Sequence, residues 1–464
     1  MPNVQFLPAL RAAKPRRRLW LAGSALGLFL LTMVVGNAFV PRDKAVTRAM
    51  LGHDFMAFYT AGAFVREGRY REMYNLDAVK AYEATLSRSA GLEVGSSFGP
   101  WWNPPFYALV FEPLAALPYA KALDLWRWIG TGAFLIATTM LASFVARAAS
   151  PCGFTRAGSP CYLLVPLLIL VSMPFLQAMS HGQNTFTSLL MLVIVVALWR
   201  QKRAWLGGLT AGLLFYKPQL AAVVAAAIVF DLGWRALAGL CVTGVALLAV
   251  MMIAMPGAIG DYLHLLPANV RWMQVEHMYL WERHVTLKAF WRLMLQGREA
   301  GEASVLTTGL TYLSVAAIGG SLAWVALRER FASARGRWPR LYMDDDVRRD
   351  RLITATIAVM PLLMPFYFDY DLLLLAVPAT LYAVERIGRP ELARANDVWL
   401  TRAWVGLFVW LFVNPGLAMH THVNVTVILL SCVAGLLIAR SRRCDAQVVS
   451  LSTSNKLTPF AAAA

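Results

Sequence analysis

A succession of apolar stretches, each about as long as a membrane-spanning helix, constrains this chain more than any other feature. Because 58% of the 464 residues are hydrophobic and only 15% are charged, a water-soluble globule is excluded and an all-α polytopic membrane protein is predicted. We expect a bundle of about twelve transmembrane helices. The candidate spans are residues 20–40, 122–146, 161–179, 185–199, 204–216, 220–232, 235–255, 304–327, 352–366, 371–384, 399–413 and 425–439.

The chain is expected to form a single transmembrane domain at 1–440, followed by a disordered cytoplasmic tail at 441–464. Basic residues precede the first span and place the N-terminus inside, and the long apolar run is typical of an anchor and not of a cleaved signal peptide. The stretches on either side of Lys217 are short enough to be half-helices or a re-entrant hairpin. The five cysteines lack metal-ligand spacing and are expected to be free thiols.

The formal charge of +17 falls in short basic runs between the apolar stretches, a pattern typical of topology signals and not of a nucleic-acid surface. The positive-inside rule assigns 147–156, 200–203, the short turn before Arg235, 328–351, 386–402 and the tail to the cytoplasmic side of the inner (plasma) membrane. The external side then receives 41–105, 181–184, the Lys217 turn, 256–303, 365–371 and 414–424. This assignment requires that the apolar segment 106–118 does not fully cross the membrane.

The first external loop, 41–105, carries Asp54 a short distance beyond the first span. The residues that follow predict an amphipathic helix lying on the membrane surface, which would hold Asp54 over the interface. From chemistry alone Asp54 is either a cap of this helix or a functional carboxylate, and both interpretations stay open. The apolar face of the predicted helix consists of Phe55, Phe58, Tyr59, Gly62 and Val65.

Further polar turns fall on the same external side, which predicts one site built from several loops. Each also has a structural interpretation: Asn103 can simply lead into a helix that begins with two prolines, and residues 181–184 can be a plain turn. Amides such as those of Gln183 and Asn184 are nevertheless common ligands of sugar hydroxyls. The turns are Asn103-Pro104-Pro105, His181-Gly182-Gln183-Asn184, Lys217-Pro218-Gln219, Asp369-Tyr370-Asp371 and His420-Thr421-His422.

Charged residues within these turns need partners. Lys217, if it lies at membrane depth, requires an anion, and a phosphate is the natural candidate. Asp369 and Asp371 lie two apart, so a helix would not put both on one face. We expect one of them to line the site and the other to cap the following helix.

Neither metal-binding nor nucleophilic chemistry has support in the sequence, so no metal and no cofactor is predicted. The histidines of the external loops could meet at a metal, but proton or hydroxyl contacts are favoured. The loop 256–303 mixes tryptophan with Arg271, Arg283 and Lys288, which suits the headgroup region and the holding of an anionic lipid head. The histidines in question are His264, His277, His284, His420 and His422.

From about residue 50 to about residue 380 the chain resembles glycosyltransferase family 87, the polyprenyl-phosphate-mannose-dependent mannosyltransferase-like integral membrane proteins. Singly the motifs are weak, but their order and shared membrane face are specific. The residues that carry the resemblance are His53-Asp54-Phe55 with Tyr59, Gly68 with Tyr74, Asn103-Pro104-Pro105, Gly182-Gln183-Asn184, Lys217-Pro218-Gln219 and Asp369-Tyr370-Asp371.

This resemblance implies the fold of C-type glycosyltransferases, in which the first external loop holds amphipathic helices and the catalytic aspartate. Asp54 would deprotonate the acceptor hydroxyl, and the sugar would come from a polyprenyl-phosphate donor, with inversion and without a nucleotide. Mannose is the best-known sugar of the family, and the acceptor would be a lipid or a glycan. The suggested substrate ligands are His53, Tyr59, Asn103, His181, Gln183, Asn184, Lys217, Gln219, Asp369, Asp371, His420 and His422.

The residue chemistry agrees with this role, because such a donor needs one base on the acceptor side and cations on the leaving phosphate. Lys217, with Arg271 or Arg283, would supply the cations, and the segment 106–118 would line a path for the isoprenoid tail. Two other classes remain: a transporter or lipid flippase with a substrate site at the membrane midplane, and a noncatalytic scaffold. A transporter would place its key polar residues within the spans, and a scaffold leaves the shared side of the turns unexplained.

Overall fold

The computed structural model of the chain is built from α-helices joined by short 3-10 turns and one π turn, and its described part contains no β-strand. The structure describes residues 52–91, 98–149, 164–334, 345–389, 392 and 397–442. The α-helices are α1 His53–Arg66, α2 Leu76–Ser89, α3 Tyr119–Ala149, α4 Leu164–Leu170, α5 Met173–His181, α6 Thr185–Arg200, α7 Ala204–Leu213, α8 Pro218–Leu232, α9 Trp234–Ala254, α10 Ala258–Arg271, α11 Leu287–Gln296, α12 Val305–Ala334, α13 Asp345–Leu363, α14 Ala376–Gly388, α15 Asp397–Trp410, α16 Asn414–Thr421 and α17 Val425–Arg442.

The predicted spans from 122–146 onward coincide with helices or with pairs of helices, which supports a helical membrane protein. Within the described ranges, α3, α9 and α12 are each long and apolar enough to cross a membrane. A fourth span results if α15 and α16, which are bent by 81°, count as one. The other apolar helices are shorter, so the expected twelve spans are not established. The first predicted span, 20–40, and most of the tail at 441–464 lie outside the described residues.

Small residues allow close helix packing beside the Lys217 turn. Gly208 of α7 faces the backbone of Ala236 in α9, where a Cβ atom would collide with the Ala236 carbonyl oxygen. Gly239 faces the backbone of Trp205 in the same way. Such glycine contacts are typical of helix pairs that approach closely in membranes. α7 therefore packs closely along α9. Lys217 lies between the 3-10 turn that follows α7 and the start of α8.

The bundle has two distinct ends. At one end, basic residues form ion pairs, such as Arg200 with Asp350 at 2.7 Å and Arg351 with Glu385 at 2.6 Å. At the other end, α6 and α8 begin, and Thr185 at the start of α6 donates a hydrogen bond to Asp371 at 2.8 Å. Thr185 and Arg200 are the two ends of α6, so the described ion pair of Arg200 and the polar contact of Thr185 lie at opposite ends, in line with the positive-inside assignment.

The apolar segment 106–118 does not form a spanning helix. It consists of two 3-10 turns, Pro105–Val110 and Leu114–Ala116, that pack on α1. The contact is tight at Gly62, where a Cβ atom would lie 2.5 Å from the carbonyl oxygen of Phe111. The condition that this segment does not cross the membrane as a helix is thus met.

The prediction of an amphipathic helix on the membrane surface after residue 52 is wrong. A helix is present at α1, but Phe55, Met56, Phe58 and Phe64 are all buried, and so are the small residues between them. The Phe58 ring stacks on the Phe111 ring at 4.9 Å between centroids. Apolar residues occur all around α1, so neighbouring segments cover it on several sides, which is typical of a buried helix. α1 is therefore part of the protein core, and Asp54 lies in its partly exposed first turn.

Candidate active site

Asp54 lies in the first turn of α1, and the backbone before it is fixed tightly. Gly52 is the N-cap residue with φ of 70°, a left-handed conformation that favours glycine. A Cβ atom at Gly52 would lie 2.5 Å from the Leu123 side chain. The Tyr119 hydroxyl donates to the Gly52 carbonyl at 2.8 Å. No side chain caps α1, so the interpretation of Asp54 as a helix cap is not supported, and its carboxylate is available for other contacts.

The turn after α5 brings two polar side chains to Asp54. His181 ends α5, and Gly182 follows in the left-handed conformation with φ of 69°. The Nδ1 atom of His181 lies 3.0 Å from Oδ2 of Asp54, and the amide of Gln183 donates to the same oxygen at 2.6 Å. Because an ionised carboxylate has no proton to donate, Nδ1 of His181 carries the hydrogen in this contact.

The Asp54 carboxylate is ionised and partly accessible. Burial opposes its ionisation, but the charge and hydrogen bond of His181, the nearby His53 and the hydrogen bond from Gln183 outweigh burial and hold the pKa of Asp54 well below its ordinary value. The side chain remains 29% exposed. His53 lies 3.8 Å from Oδ1 of Asp54, and this proximity raises the pKa of His53 against the effect of burial.

Arg283 lies near Asp54 but is not within ion-pair distance of it in the described residues. Arg283 binds Asp369 through Nη2 and Oδ1 at 2.9 Å, and Gln177 donates to the other Asp369 oxygen at 3.1 Å. The guanidinium of Arg283 lies 5.9 Å from the centre of the Tyr370 ring. Burial lowers the pKa of Arg283, but the charge of Asp369, with that of Asp54 as a smaller cause, outweighs it and raises the pKa. Arg283 is therefore within electrostatic reach of Asp54.

Lys217 is paired inside the protein. Its Nζ atom lies 3.0 Å and 3.1 Å from the two carboxylate oxygens of Asp371, and both side chains are buried. Lys217 thus has an anionic partner, Asp371, within the protein itself. Thr185 donates to the same carboxylate at 2.8 Å and completes this buried group.

The expectation that one of the two late aspartates caps the following helix is wrong. Residues Asp369–Leu375 form a 3-10 helix without a side-chain cap. A 3-10 helix advances roughly 120° per residue, so side chains two apart point to different sides. Asp369 therefore reaches Arg283 while Asp371 reaches Lys217, and each carboxylate neutralises a cation.

Several other predicted ligands have structural roles. Tyr59 is buried and donates to the Leu117 carbonyl at 2.9 Å. Asn184 is fully buried and donates to the Tyr107 hydroxyl at 3.1 Å. Neither side chain contacts Asp54 in the described residues, and the Oδ1 atom of Asn184 has no hydrogen-bond partner there.

Among the described residues, no contact joins the remaining predicted ligands to Asp54. The backbone oxygen of Asn103 accepts a hydrogen bond from Tyr74 at 2.6 Å, and Gln219 is half-buried in the first turn of α8. His420 and His422 are exposed at the end of α16, where the His422 ring packs near Gly297. The site is thus formed by the turns around residues 54, 182, 283 and 370.

Two residues of the site were missed in the sequence analysis. Gln177, which binds Asp369, precedes His181 by four positions on α5, so both lie on one helical face. That spacing could have indicated it. Thr185 follows the 181–184 turn directly and had no comparable signal. In the described part of the chain, no group of three His, Cys, Asp or Glu residues is placed to hold a metal ion.

An apolar helical bundle that gathers an ionised carboxylate, imidazole and amide groups and cations at one end defines a membrane protein with a polar site suited to a charged or hydroxylated ligand. The model of glycosyltransferase family 87 matches residues 101–342, more than half of the chain. The chain therefore belongs to glycosyltransferase family 87, and the predicted family is confirmed. The matched region includes His181, Gln183 and Arg283 but begins after Asp54. No curated protein and no solved structure matches the chain.

Proposed function

We propose that this glycosyltransferase transfers a hexose, with mannose as the first candidate, from a polyprenyl-phosphate donor to a lipid or glycan acceptor at the external face of the membrane. The observation that carries the proposal is the ionised, partly exposed Asp54 carboxylate held by His181 and Gln183. A fixed carboxylate at the mouth of a helical bundle suits a general base acting on a hydroxyl. The family membership supplies the reaction class.

The geometry favours one oxygen of Asp54 as the base. Both close donors, His181 and Gln183, bind Oδ2, whereas Oδ1 has only the more distant His53 among the described residues. In the reaction, Oδ1 takes the proton of the acceptor hydroxyl while the acceptor oxygen attacks the anomeric carbon. The bond from that carbon to the phosphate oxygen breaks, and its electron pair leaves with the phosphate. Such a single displacement inverts the anomeric carbon and needs no second nucleophilic carboxylate.

Arg283 is the cation best placed to stabilise the leaving phosphate. It is partly exposed and within electrostatic reach of Asp54. Arg271, the other candidate, is exposed and pairs with Glu302. Lys217 is occupied by Asp371. A guanidinium that shares its charge with Asp369 can still donate hydrogen bonds to a phosphate oxygen.

A transporter or flippase is the second candidate function, and one observation favours it. The buried pair of Lys217 and Asp371 beside the junction of α7 and α8 is the kind of intramembrane charge pair that transporters use. The family membership and the placement of the polar cluster at the helix ends favour the transferase.

The donor class is tested with the purified full chain in lipid nanodiscs. Candidate donors are polyprenyl-phosphate sugars carrying different hexoses and the matching nucleotide sugars, offered with a membrane lipid extract as the source of acceptors. We expect labelled sugar to be transferred from a polyprenyl phosphate only, and nuclear magnetic resonance of the product to show the inverted anomer. Transfer from a nucleotide sugar, or retention of configuration, would contradict the proposal.

A further inference from the structure

Lys288 is a half-buried cation in an aromatic setting. It lies in the first turn of α11, and its Nζ atom donates to Oε1 of Gln274 at 2.7 Å. The ammonium lies 5.8 Å from the centre of the Trp281 ring and 5.5 Å from the centre of the Phe366 ring. Burial lowers the pKa of Lys288. The charge is therefore partly removed from water, which is costly unless an anion is near.

No carboxylate of the described residues lies within ion-pair distance of Lys288. This distinguishes it from its neighbours: Arg283 pairs with Asp369 at 2.9 Å, and Arg298 pairs with Glu282 at 3.2 Å. Arg292, one turn further along α11, binds backbone carbonyl groups of the following loop. Lys288 thus combines partial burial with the lack of a protein anion.

Two further hydrogen-bond donors beside Lys288 lack partners in the part of the chain that the structure describes. They are the indole Nε1 of Trp281 and the amide Nε2 of Gln274, whose side chain also interacts with the Tyr279 hydroxyl. Both residues are buried. Buried polar groups are rarely left unpaired without a ligand or water to satisfy them. Both residues adjoin Lys288, and Glu282, the carboxylate next to Trp281 in the chain, pairs with Arg298. These donor groups therefore form a candidate site for an oxyanion.

His284 shows where Lys288 lies relative to the candidate active site. This imidazole is buried, and burial, followed by the positive charges of Arg283 and Lys288, lowers its pKa to about 3. The His284 ring lies 4.0 Å from the Phe368 ring, over which Arg283 lies at 5.8 Å. It lies 6.3 Å from the Phe366 ring, over which Lys288 lies at 5.5 Å. Because Arg283 is also within reach of the Asp54 charge, Lys288 lies on the same side of the bundle as the proposed base.

We propose that Lys288, Gln274 and Trp281 form a binding site for a phosphate group, and that its occupant is the phosphate of the polyprenyl-phosphate donor. The identity of the occupant depends on the proposed function, whereas the phosphate chemistry does not. Lys288 supplies the charge, and the amide and indole N–H groups supply directed hydrogen bonds. Arg283 then meets the same phosphate from the side of Asp54.

The test measures binding without catalysis. The full chain is placed in phosphatidylcholine nanodiscs and titrated with a short-chain polyprenyl phosphate, with inorganic phosphate and with phosphatidylglycerol. The variants are Lys288→Met and Lys288→Arg, with Lys80→Met as the matched control because Lys80 is exposed on α2. We expect Lys288→Met to weaken polyprenyl phosphate binding about 10- to 100-fold, the usual size of a charged hydrogen bond. Lys288→Arg should recover most of it, and Lys80→Met should bind as the unmodified protein does.

Folding is monitored in the same samples. Lys288→Met removes the hydrogen bond to Gln274 but no ion pair, so it should lower the thermal unfolding midpoint only slightly. Trp281→Phe, which removes the indole N–H together with part of the ring, provides an independent variant. Unchanged affinity of Lys288→Met for polyprenyl phosphate overturns the proposal. The assignment to the donor is overturned if phosphatidylglycerol or inorganic phosphate binds as tightly as polyprenyl phosphate. Asp54→Asn protein should still bind polyprenyl phosphate. The binding result therefore stays valid even if Asp54 proves not to be the base.

Discussion

His181 and Asp54 are 127 positions apart in the chain, and their side chains meet at 3.0 Å at one end of the bundle. The contact ties the first turn of α1 to the last turn of α5, and Gln183 strengthens it from the following turn. Two left-handed glycines, Gly52 and Gly182, make this approach possible, because a Cβ atom at either would collide with a neighbour or crowd it. The geometry of the proposed base therefore depends on two turns in which glycine is favoured over every other residue type.

Removing the His181 imidazole should change the pH dependence of transfer. His181 lowers the pKa of Asp54, so the carboxylate stays ionised as the pH falls. His181→Phe removes this effect, the pKa of Asp54 rises, and the acidic limb of the rate–pH profile moves to higher pH. The profile is measured with a fixed donor concentration. His264→Phe, at an exposed histidine, is the control, and a His181→Phe profile that coincides with it would show that His181 does not act on the base.

Arg283 should affect donor use, and its loss should also lower stability, because the buried Asp369 carboxylate loses its cation. Arg283→Gln removes the cation proposed for the leaving phosphate and should raise KM for the donor, or lower kcat/KM, about 10- to 100-fold. Arg271→Gln serves as the matched control, because Arg271 is exposed and pairs with Glu302. Equal effects of the two substitutions would remove Arg283 from the mechanism.

The pair of Lys217 and Asp371 should be structural. Lys217→Met leaves the buried Asp371 carboxylate without its cation and should lower the free energy of unfolding by about 3–5 kcal/mol. Replacing both residues, as Lys217→Met with Asp371→Leu, should recover much of this loss. Thermal unfolding in detergent gives the comparison. A Lys217→Met protein that is fully stable but no longer binds the donor would instead indicate a phosphate ligand.

Glu83 should make stability depend on pH. It is buried on α2, where burial raises its pKa to about 8 although Gly99 donates a hydrogen bond to it at 2.8 Å. The folded protein therefore keeps a proton that the unfolded chain releases near the ordinary pKa, so stability decreases as the pH rises between these two values. Glu83→Gln keeps the acceptor for Gly99 and should flatten this decrease. Unfolding midpoints at pH 6 to 9 check it, and parallel slopes for both proteins would refute the assignment.

The sequence indicated the helical architecture and much of the site for physical reasons that act locally. Apolar length predicts a helix, and the polar turns that contain Asp54, His181 and Gln183 could be assigned to one end because basic runs mark the other. These three residues do meet in the structure.

The partners of the charged residues and the burial of α1 could not be predicted, because they depend on contacts between distant segments. The pairing of Lys217 with Asp371 joins residues 154 positions apart, and a lone lysine in a sequence does not show which anion it meets. The burial of α1 follows from the packing of residues 105–118 against it, which its own pattern of apolar residues did not reveal. Arg283 was one of several basic residues in its loop, and only the fold distinguishes it from Arg271.

The central claim is tested most directly by transfer of labelled mannose from polyprenyl-phosphate mannose by Asp54→Asn protein in nanodiscs. Asparagine preserves the size of the side chain but cannot accept the acceptor proton, so the rate should decrease about 10²- to 10⁴-fold. Asp77→Asn, at an exposed aspartate on α2, should transfer at the unmodified rate. Undiminished transfer by a folded Asp54→Asn protein would contradict the mechanism.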